Sequence, residues 1–161
     1  MKKKKNKPRK QIRLPEDAYL GGEPFILTVC THHRLPIFRK PGYAKAATDM
    51  LAQAALKTGA QLWCGVIMPD HAHMLVNADE GKSPLDVGAC FKRLTTLRLR
   101  SLGFADTLWQ RRVHDRGIRR EFSNAVAAVH YVLDNPVRQG LVSRWDEWPY
   151  TYVDSRLVES L

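Results

Sequence analysis

The sequence predicts an α+β protein, a ferredoxin-like sandwich in which an antiparallel sheet has helices packed on one face. Three observations lead to this prediction. Short β-prone runs alternate with longer segments of helical periodicity. The elements follow in the order strand, helix, strand, strand, helix, strand, helix. A length of 161 residues, with 44% hydrophobic side chains, suits one domain with one genuine core.

Four segments are expected to be strands. Glu23 to His32 is rich in β-branched and aromatic residues. Leu62 to Met68 and His71 to Val76 are expected to form a hairpin, because Pro69-Asp70 between them is typical of a tight turn. Leu108 to Arg119 alternates less cleanly and is expected to be an extended, arginine-rich segment.

Three segments are expected to be helices. They run from Pro41 to Gly59, from Ser83 to about Leu102, and from Ser123 or Asn124 to about Asp134. Proline suits the first turn of a helix, glycine suits the position after its end, and the residue before a proline avoids helical backbone. The second helix should turn one apolar stripe inward, made of Val87, Cys90, Phe91, Leu94 and Leu97.

The basic residues are concentrated in two places. The net charge is +10, and residues 1–13 hold eight Lys or Arg and no acid, which leaves 18 bases against 16 acids elsewhere. Residues 1–19 are therefore expected to be a basic, disordered arm. Contact with phosphates and simple solubilisation are both open for it. Residues 20–161 are expected to form a single domain with an aromatic C-terminal tail, which either packs on the domain or stacks on bases.

The second concentration lies in residues 92–120, with nine bases against two acids. A nucleic acid is the partner that this distribution favours, although a charged helix face can also be merely solvated. The candidate DNA-binding residues are Lys92, Arg93, Arg98, Arg100, Arg111, Arg112, Arg116, Arg119, Arg120 and Arg138.

The sequence does not support a membrane protein or a disulfide-rich protein. No apolar run approaches the roughly 18 residues that span a bilayer, and no signal-type segment follows the lysine-rich start. The three cysteines are odd in number and widely spaced, as expected of reduced residues in a cytoplasmic protein.

The clearest chemistry lies at His71 and His73, one residue apart in a β-prone run. Side chains at i and i+2 of a strand share a face, so both imidazoles should project together. Two converging imidazoles can bind one divalent metal ion. Taken alone, the pair is also compatible with two ordinary histidines.

A second set of candidates lies on the third predicted helix. Ala127, Tyr131 and Asn135 recur every four residues and share a face, separate from the stripe suited to the core. Tyr131 is thus not obviously required for packing. Taken alone, it could also be a half-buried tyrosine that makes a hydrogen bond.

Together these segments resemble the single-tyrosine HUH endonucleases, named for a His-hydrophobic-His motif. More closely, the chain resembles the REP-associated tyrosine transposases, relatives of the small single-stranded-DNA insertion-sequence transposases. The resemblance spans roughly residues 20 to 153. It is carried by Met68 to Leu75, Tyr131 to Val142, Trp109 to Arg112, Asp115 to Arg119, and Phe25 to Phe38.

The resemblance implies the same fold and an HUH-type catalytic domain in residues 20–161. It implies that Tyr131 attacks a DNA phosphodiester near a palindromic hairpin in single-stranded DNA, leaving a 5′-phosphotyrosyl enzyme and a free 3′-hydroxyl. It also implies that His71, His73 and Asn135 are the metal ligands. An amide oxygen beside two imidazoles suits Mg²⁺ or Mn²⁺.

Several questions stay open at this stage. A DNA- or RNA-binding module without catalysis and a metallohydrolase that activates water are the rival functions. The protein could act as a monomer or a homodimer, and a bacterial cytoplasmic, nucleoid-associated location is expected. Asp70, where relatives often have asparagine, could tune the metal or hold the turn. His114 could face the site or the solvent, and no general base is identified.

Overall fold

The computed structural model describes residues 23–117 and 125–158. The predicted basic arm, the helix start at Ser123 or Asn124, and the candidate DNA-binding residues Arg119 and Arg120 lie outside the described residues. Of Arg116 only the backbone is described.

Five strands form one sheet in which every pairing is antiparallel, in the order β4-β1-β3-β2-β5. The sheet is the predicted one with a short strand added from the aromatic tail. The strands are β1 (Pro24–Thr31), β2 (Ala60–Met68), β3 (His71–Ala78), β4 (Trp109–Gly117) and β5 (Thr151–Val153).

The helices follow the predicted order. They are α1 (Pro41–Thr58), α2 (Leu85–Ser101), α3 (Ala125–Leu133), α4 (Asn135–Arg138) and α5 (Ser155–Val158), with 3-10 turns at His32–Arg34, Ile37–Arg39 and Trp145–Glu147. Gly59 ends α1 with a φ of 67°, a left-handed conformation that glycine adopts without strain. None of the described helices is long and apolar enough to cross a membrane.

The sheet separates two apolar clusters, and this decides where the histidines point. One face of β1, with Phe25, Leu27 and Val29, packs under α1 and α2. The opposite face packs against α3, where Val129 and Leu133 are buried. The α+β class is thus confirmed, with α1 and α2 together on one face, and the structure adds that α3 crosses the face that carries the histidines.

Small residues bring α2 close to the sheet. A Cβ on Gly88 would lie 3.0 Å from Val113 of β4, so glycine is needed for this approach. The buried stripe of α2 accordingly includes Gly88 and Thr95. The prediction that Leu97 faces inward is wrong: Leu97 is 54% exposed, whereas Gly88 and Thr95 lie on the buried face of the helix.

The aromatic tail packs on the domain, which is one of the two alternatives that the sequence leaves open. Trp148 Nε1 donates a hydrogen bond to the Ile67 carbonyl at 2.9 Å, and Ile67 N–H donates to the Tyr150 carbonyl at 2.9 Å. These bonds hold the tail beside β2. The chain then forms β5, which pairs with β2. Asp154, which follows, accepts hydrogen bonds from Arg156 that lower the pKa of its carboxyl to about 2.

Candidate active site

The two histidines of β3 converge as the strand geometry predicts. His71 Nε2 and His73 Nε2 lie 3.1 Å apart, with the rings nearly perpendicular at 85°. Two nitrogen ligands held about 2.1 Å from one ion, at octahedral to tetrahedral angles, are separated by about 3.0 to 3.4 Å. The pair therefore has the spacing of two ligands that share a metal ion.

The opposite nitrogen of each ring is held by a neighbour. His71 Nδ1 lies 2.5 Å from Asp70 Oδ1, and His73 Nδ1 lies 2.8 Å from Thr28 Oγ1. Thr28 reaches His73 because the two residues are directly opposite each other in the pairing of β1 with β3. Holding Nδ1 fixes the ring orientation of a metal-binding histidine and presents Nε2 to the metal.

Asp70 contributes to the turn through its backbone carbonyl and contacts His71 through its side chain. Its backbone carbonyl accepts hydrogen bonds from the N–H and hydroxyl of Thr31, both at 2.9 Å. Its second carboxylate oxygen lies 3.4 Å from Arg34 Nη1. The backbone that carries Arg34 is unusual, with φ values of 52° at His33 and 57° at Arg34. Consecutive positive φ values at non-glycine residues are costly and often occur beside functional sites.

The burial of His71 favours the neutral form of its imidazole. Burial lowers the pKa of His71 below its ordinary value of 6.5, and the hydrogen bond to Asp70 acts in the opposite direction. The His71 side chain is buried, with 5% of its surface exposed. A neutral imidazole is the form that binds a metal ion.

Tyr131 lies on α3, above the same face of the sheet. It is half-buried and packs against the cluster that contains Met68 and Leu75. The Arg138 guanidinium carbon lies 4.6 Å from the centre of the tyrosine ring, and Arg138 Nη2 donates to the Tyr131 carbonyl at 2.7 Å. Arg138 therefore holds a positive charge over the ring.

Asn135 is buried where α3 ends. Its Nδ2 donates hydrogen bonds to the carbonyls of Tyr131 and Val132, at 3.1 and 2.9 Å. These are carbonyls of the last helical turn, which lack partners within the helix. Because the amide nitrogen is used in this way, Oδ1 is the atom that could bind a metal.

The donor set fits the ion expected from the sequence. Two imidazole nitrogens and one amide oxygen can bind Mg²⁺ or Mn²⁺, with water completing the shell. Across residues 23–117 and 125–158, no group of three or more His, Cys, Asp or Glu side chains is arranged to hold a metal ion. The candidate set is of a different kind, since its third member is an amide.

His114, which the sequence leaves unassigned, lies on the same face as the pair. Thr28 is opposite His73 on one side and opposite His114 on the other. Residues directly opposite in an antiparallel sheet share a face, and His114 is two strand spacings, about 10 Å, from His73. The sequence does not reveal that His73, Thr28 and His114 are aligned across three strands, nor that Thr28 contacts His73, since both depend on strand register.

The predicted DNA-binding residues are spread over several surfaces. Lys92 Nζ donates to the carbonyls of Gln110 and Arg111 on β4, at 2.5 and 3.1 Å, and burial lowers the pKa of Lys92. Their contact with DNA stays a prediction. The exposed members among the described residues are Arg93, Arg98, Arg100, Arg111, Arg112 and Arg138.

Comparison with known proteins places the chain in a family. Residues 25–118, more than half of the chain, match the model of the IS200-like transposases. The search of curated proteins found no match.

Two solved structures share the fold. One is a REP-associated tyrosine transposase bound to a REP hairpin, 20% identical, with a TM-score of 0.68 over 87% of this chain and 82% of that one. The other is a candidate transposase from Deinococcus radiodurans, 18% identical, with a TM-score of 0.54 over 76% of this chain and 97% of that one. The match over residues 25–118 shows that the chain belongs to the family of IS200-like transposases.

Proposed function

We propose that this transposase is a metal-dependent endonuclease and strand transferase that cuts and rejoins single-stranded DNA through a 5′-phosphotyrosine intermediate. The observation that carries the proposal is the convergence of His71 Nε2 and His73 Nε2, 3.1 Å apart, on the sheet face crossed by the helix of Tyr131. This shared face supports the proposal that the histidines bind the metal ion and that Tyr131 is the nucleophile.

The residues of the chain have distinct tasks in this reaction. His71, His73 and Asn135 would hold Mg²⁺ or Mn²⁺, which when bound stabilises the charge that develops on the scissile phosphate. The Tyr131 oxygen forms a bond to phosphorus while the bond to the 3′-oxygen breaks. The phenolic proton passes to solvent, and the leaving 3′-oxygen takes up a proton.

The same residues support rejoining. The phosphotyrosyl bond retains the energy of the phosphodiester, so a 3′-hydroxyl can attack it and release Tyr131 without ATP. A single tyrosine carries one covalent link per domain at a time. A cut end and its recipient end must therefore be held on the protein together.

The partner that we propose is single-stranded DNA with a palindromic hairpin. The fold is that of a transposase solved with a REP hairpin bound. The net charge of +10 favours a polyanion as partner. We propose a bacterial cytoplasmic, nucleoid-associated protein that acts as a monomer or a homodimer.

A gel assay with hairpin-containing single strands tests the proposal. Strands labelled at either the 3′ or the 5′ end are incubated with Mg²⁺, Mn²⁺ or EDTA. We expect a metal-dependent, denaturation-resistant adduct that carries only the 3′ label and is lost in Tyr131→Phe. Tyr43→Phe is the matched control, because Tyr43 packs against the cluster on the opposite face of the sheet.

The rival functions give different results in the same assay. A metallohydrolase would cut the strand without an adduct, and Tyr131→Phe would still cut. A binding module would retain the strand uncut with every metal. Either result would reject the phosphotyrosine mechanism.

A further inference from the structure

A cleft lies between α2 and the start of β4, away from the histidine pair. It has a volume of about 370 Å³ and is lined by Arg93, Leu97 and Arg100 of the helix and by Asp106 and Trp109. The three helix residues follow each other at steps of four and three, so they share one face. This is the face on which Leu97 is exposed, contrary to the sequence prediction.

The lining combines three kinds of group. Arg93 and Arg100 carry positive charges, Leu97 and Trp109 supply apolar surface, and Asp106 adds one carboxylate. The Trp109 indole nitrogen is buried and has no hydrogen-bond partner in the part of the chain that the structure describes. Trp109 itself is fixed between Phe38 and Phe91, at ring-centre distances of 5.4 and 5.5 Å.

This combination matches a nucleotide better than a bare phosphate. Guanidinium groups bind the phosphates of nucleic acids, and apolar side chains cover the faces of unpaired bases. A carboxylate repels phosphate but accepts hydrogen bonds from the amino groups of bases, as aspartate does from cytosine N4. Asp106 would therefore weaken a surface that binds only phosphates. It would strengthen a surface that also recognises a base through its amino group.

The cleft lies within reach of a strand held at the histidines. Trp109 is opposite Thr31 of β1, and the preceding Cys30 is opposite His71 of β3. The backbone positions of His71 and Trp109 are two strand spacings apart, about 10 Å, and the Trp109 side chain lies on the face of the sheet opposite the histidines. Because β4 is an edge strand, a single strand can pass over this edge from one face to the other.

We propose that this cleft binds one unpaired nucleotide of the single-stranded DNA substrate, with Asp106 selecting a base that carries an amino group. Arg93 and Arg100 bind the adjoining phosphates, and Leu97 covers the base. The inference rests on the proposed function for the identity of the polymer, but it does not require the strand to be cut.

Binding of short labelled strands tests the proposal. Fluorescence anisotropy is measured with oligo-dC, which has amino groups, and oligo-dT, which has none. Full-length Tyr131→Phe protein in EDTA is used, so that no cleavage occurs. We expect oligo-dC to bind at least about fivefold more tightly, the lower end of the range for a good base contact.

The variants separate base reading from phosphate contact. Asp106→Ala and Asp106→Leu, which lack any side-chain acceptor, should abolish most of the preference for oligo-dC. The double variant Arg93→Gln, Arg100→Gln should weaken both strands alike and reduce the salt slope by about 1.4, or 0.7 for each phosphate contact. Lys57→Gln, an exposed charge on α1, should change neither quantity.

Two outcomes would overturn the inference: equal affinities for oligo-dC and oligo-dT in protein that retains Asp106, or an unchanged ratio of the two affinities in both Asp106 variants. Asp106 is exposed, so these variants should fold, and circular dichroism checks that they do. Failure of the proposed function would look different. The 3′-labelled adduct would then be missing from protein that still prefers oligo-dC.

Discussion

The orientation of the two histidine rings depends on a short chain of contacts. Asp70 holds Nδ1 of His71, and Thr28 holds Nδ1 of His73. The contact of Asp70 with Arg34 is exposed, with 54% of the arginine side chain accessible, and such pairs contribute little to stability. The Asp70–His71 contact is largely buried, so it is the stronger determinant of ring orientation.

Removing the Asp70 carboxylate should weaken metal binding. We expect Asp70→Ala to reduce Mn²⁺ affinity at least tenfold, because partners of metal-binding histidines contribute about 10- to 100-fold. Isothermal titration calorimetry measures the affinity. Asp79→Ala is the control, since Asp79 is exposed and pairs with Lys82. Equal affinities for the two variants would show that Asp70 acts only in the turn.

The lowered pKa of His71 predicts a pH dependence. The unfolded state binds this proton more tightly than the folded state, so the stability contributed by neutral His71 is complete above pH 6.5 and is lost as pH falls. Mn²⁺ affinity should likewise stay constant between about pH 8 and 7 and decline only below 6.5. Isothermal titration calorimetry at several pH values across this range measures the Mn²⁺ affinity. An affinity that stays constant as the pH falls far below 6.5 would contradict the assignment of His71 as a ligand, whereas a decline that begins above pH 7 would point to a different titrating group.

At the scale of elements, the end of α3 combines two functions in one residue. Asn135 Nδ2 satisfies two carbonyls of α3, one of them the carbonyl of Tyr131. Its Oδ1 is the proposed third ligand. If Oδ1 binds the metal as proposed, metal binding would be coupled to the position of the helix that carries Tyr131.

Two substitutions of Asn135 separate these functions. Asn135→Asp and Asn135→Ala should each cost about 1–3 kcal/mol of unfolding free energy, because the buried Val132 carbonyl loses its donor, whereas the Tyr131 carbonyl keeps its hydrogen bond from Arg138. Thermal or urea unfolding measures this loss. Asn135→Asp keeps an oxygen ligand and should retain Mn²⁺ binding, whereas Asn135→Ala should lose it. Normal metal-dependent cleavage by Asn135→Ala would contradict the coupling.

The elements themselves were largely predictable. The two-residue period placed His71 and His73 on one face, and the four-residue period grouped Tyr131 with Asn135. Local patterns could not give the register that brings Thr28 to His73, nor the face of the sheet on which α3 packs. Both depend on contacts between residues far apart in the chain. Leu97 was misplaced because hydrophobicity alone did not reveal that Gly88 and Thr95 face inward.

At the scale of the whole molecule, most of the net positive charge comes from residues 1–13, the predicted arm. Without residues 1–13 the formal charge falls from +10 to +2. The described part of the domain keeps its exposed arginines on α2, β4 and α4. We therefore expect the arm to supply general affinity for DNA, while the domain supplies selectivity and chemistry.

Deletion of residues 1–13 should change binding more than catalysis. If half of its eight bases contact phosphates, the salt slope of single-strand binding should fall by about 3. Adduct formation at saturating DNA should be unchanged. Anisotropy at several salt concentrations measures the slope. An unchanged slope would show that the arm does not contact the strand.

The central claim is that Tyr131 becomes covalently linked to DNA. The most direct measurement is mass spectrometry of the denatured reaction, first on intact protein and then on its peptides. The account predicts a protein heavier by the 3′ fragment of the strand, with the added mass on the peptide that contains Tyr131. Cut DNA with unmodified protein, or a link to a different residue, would contradict it.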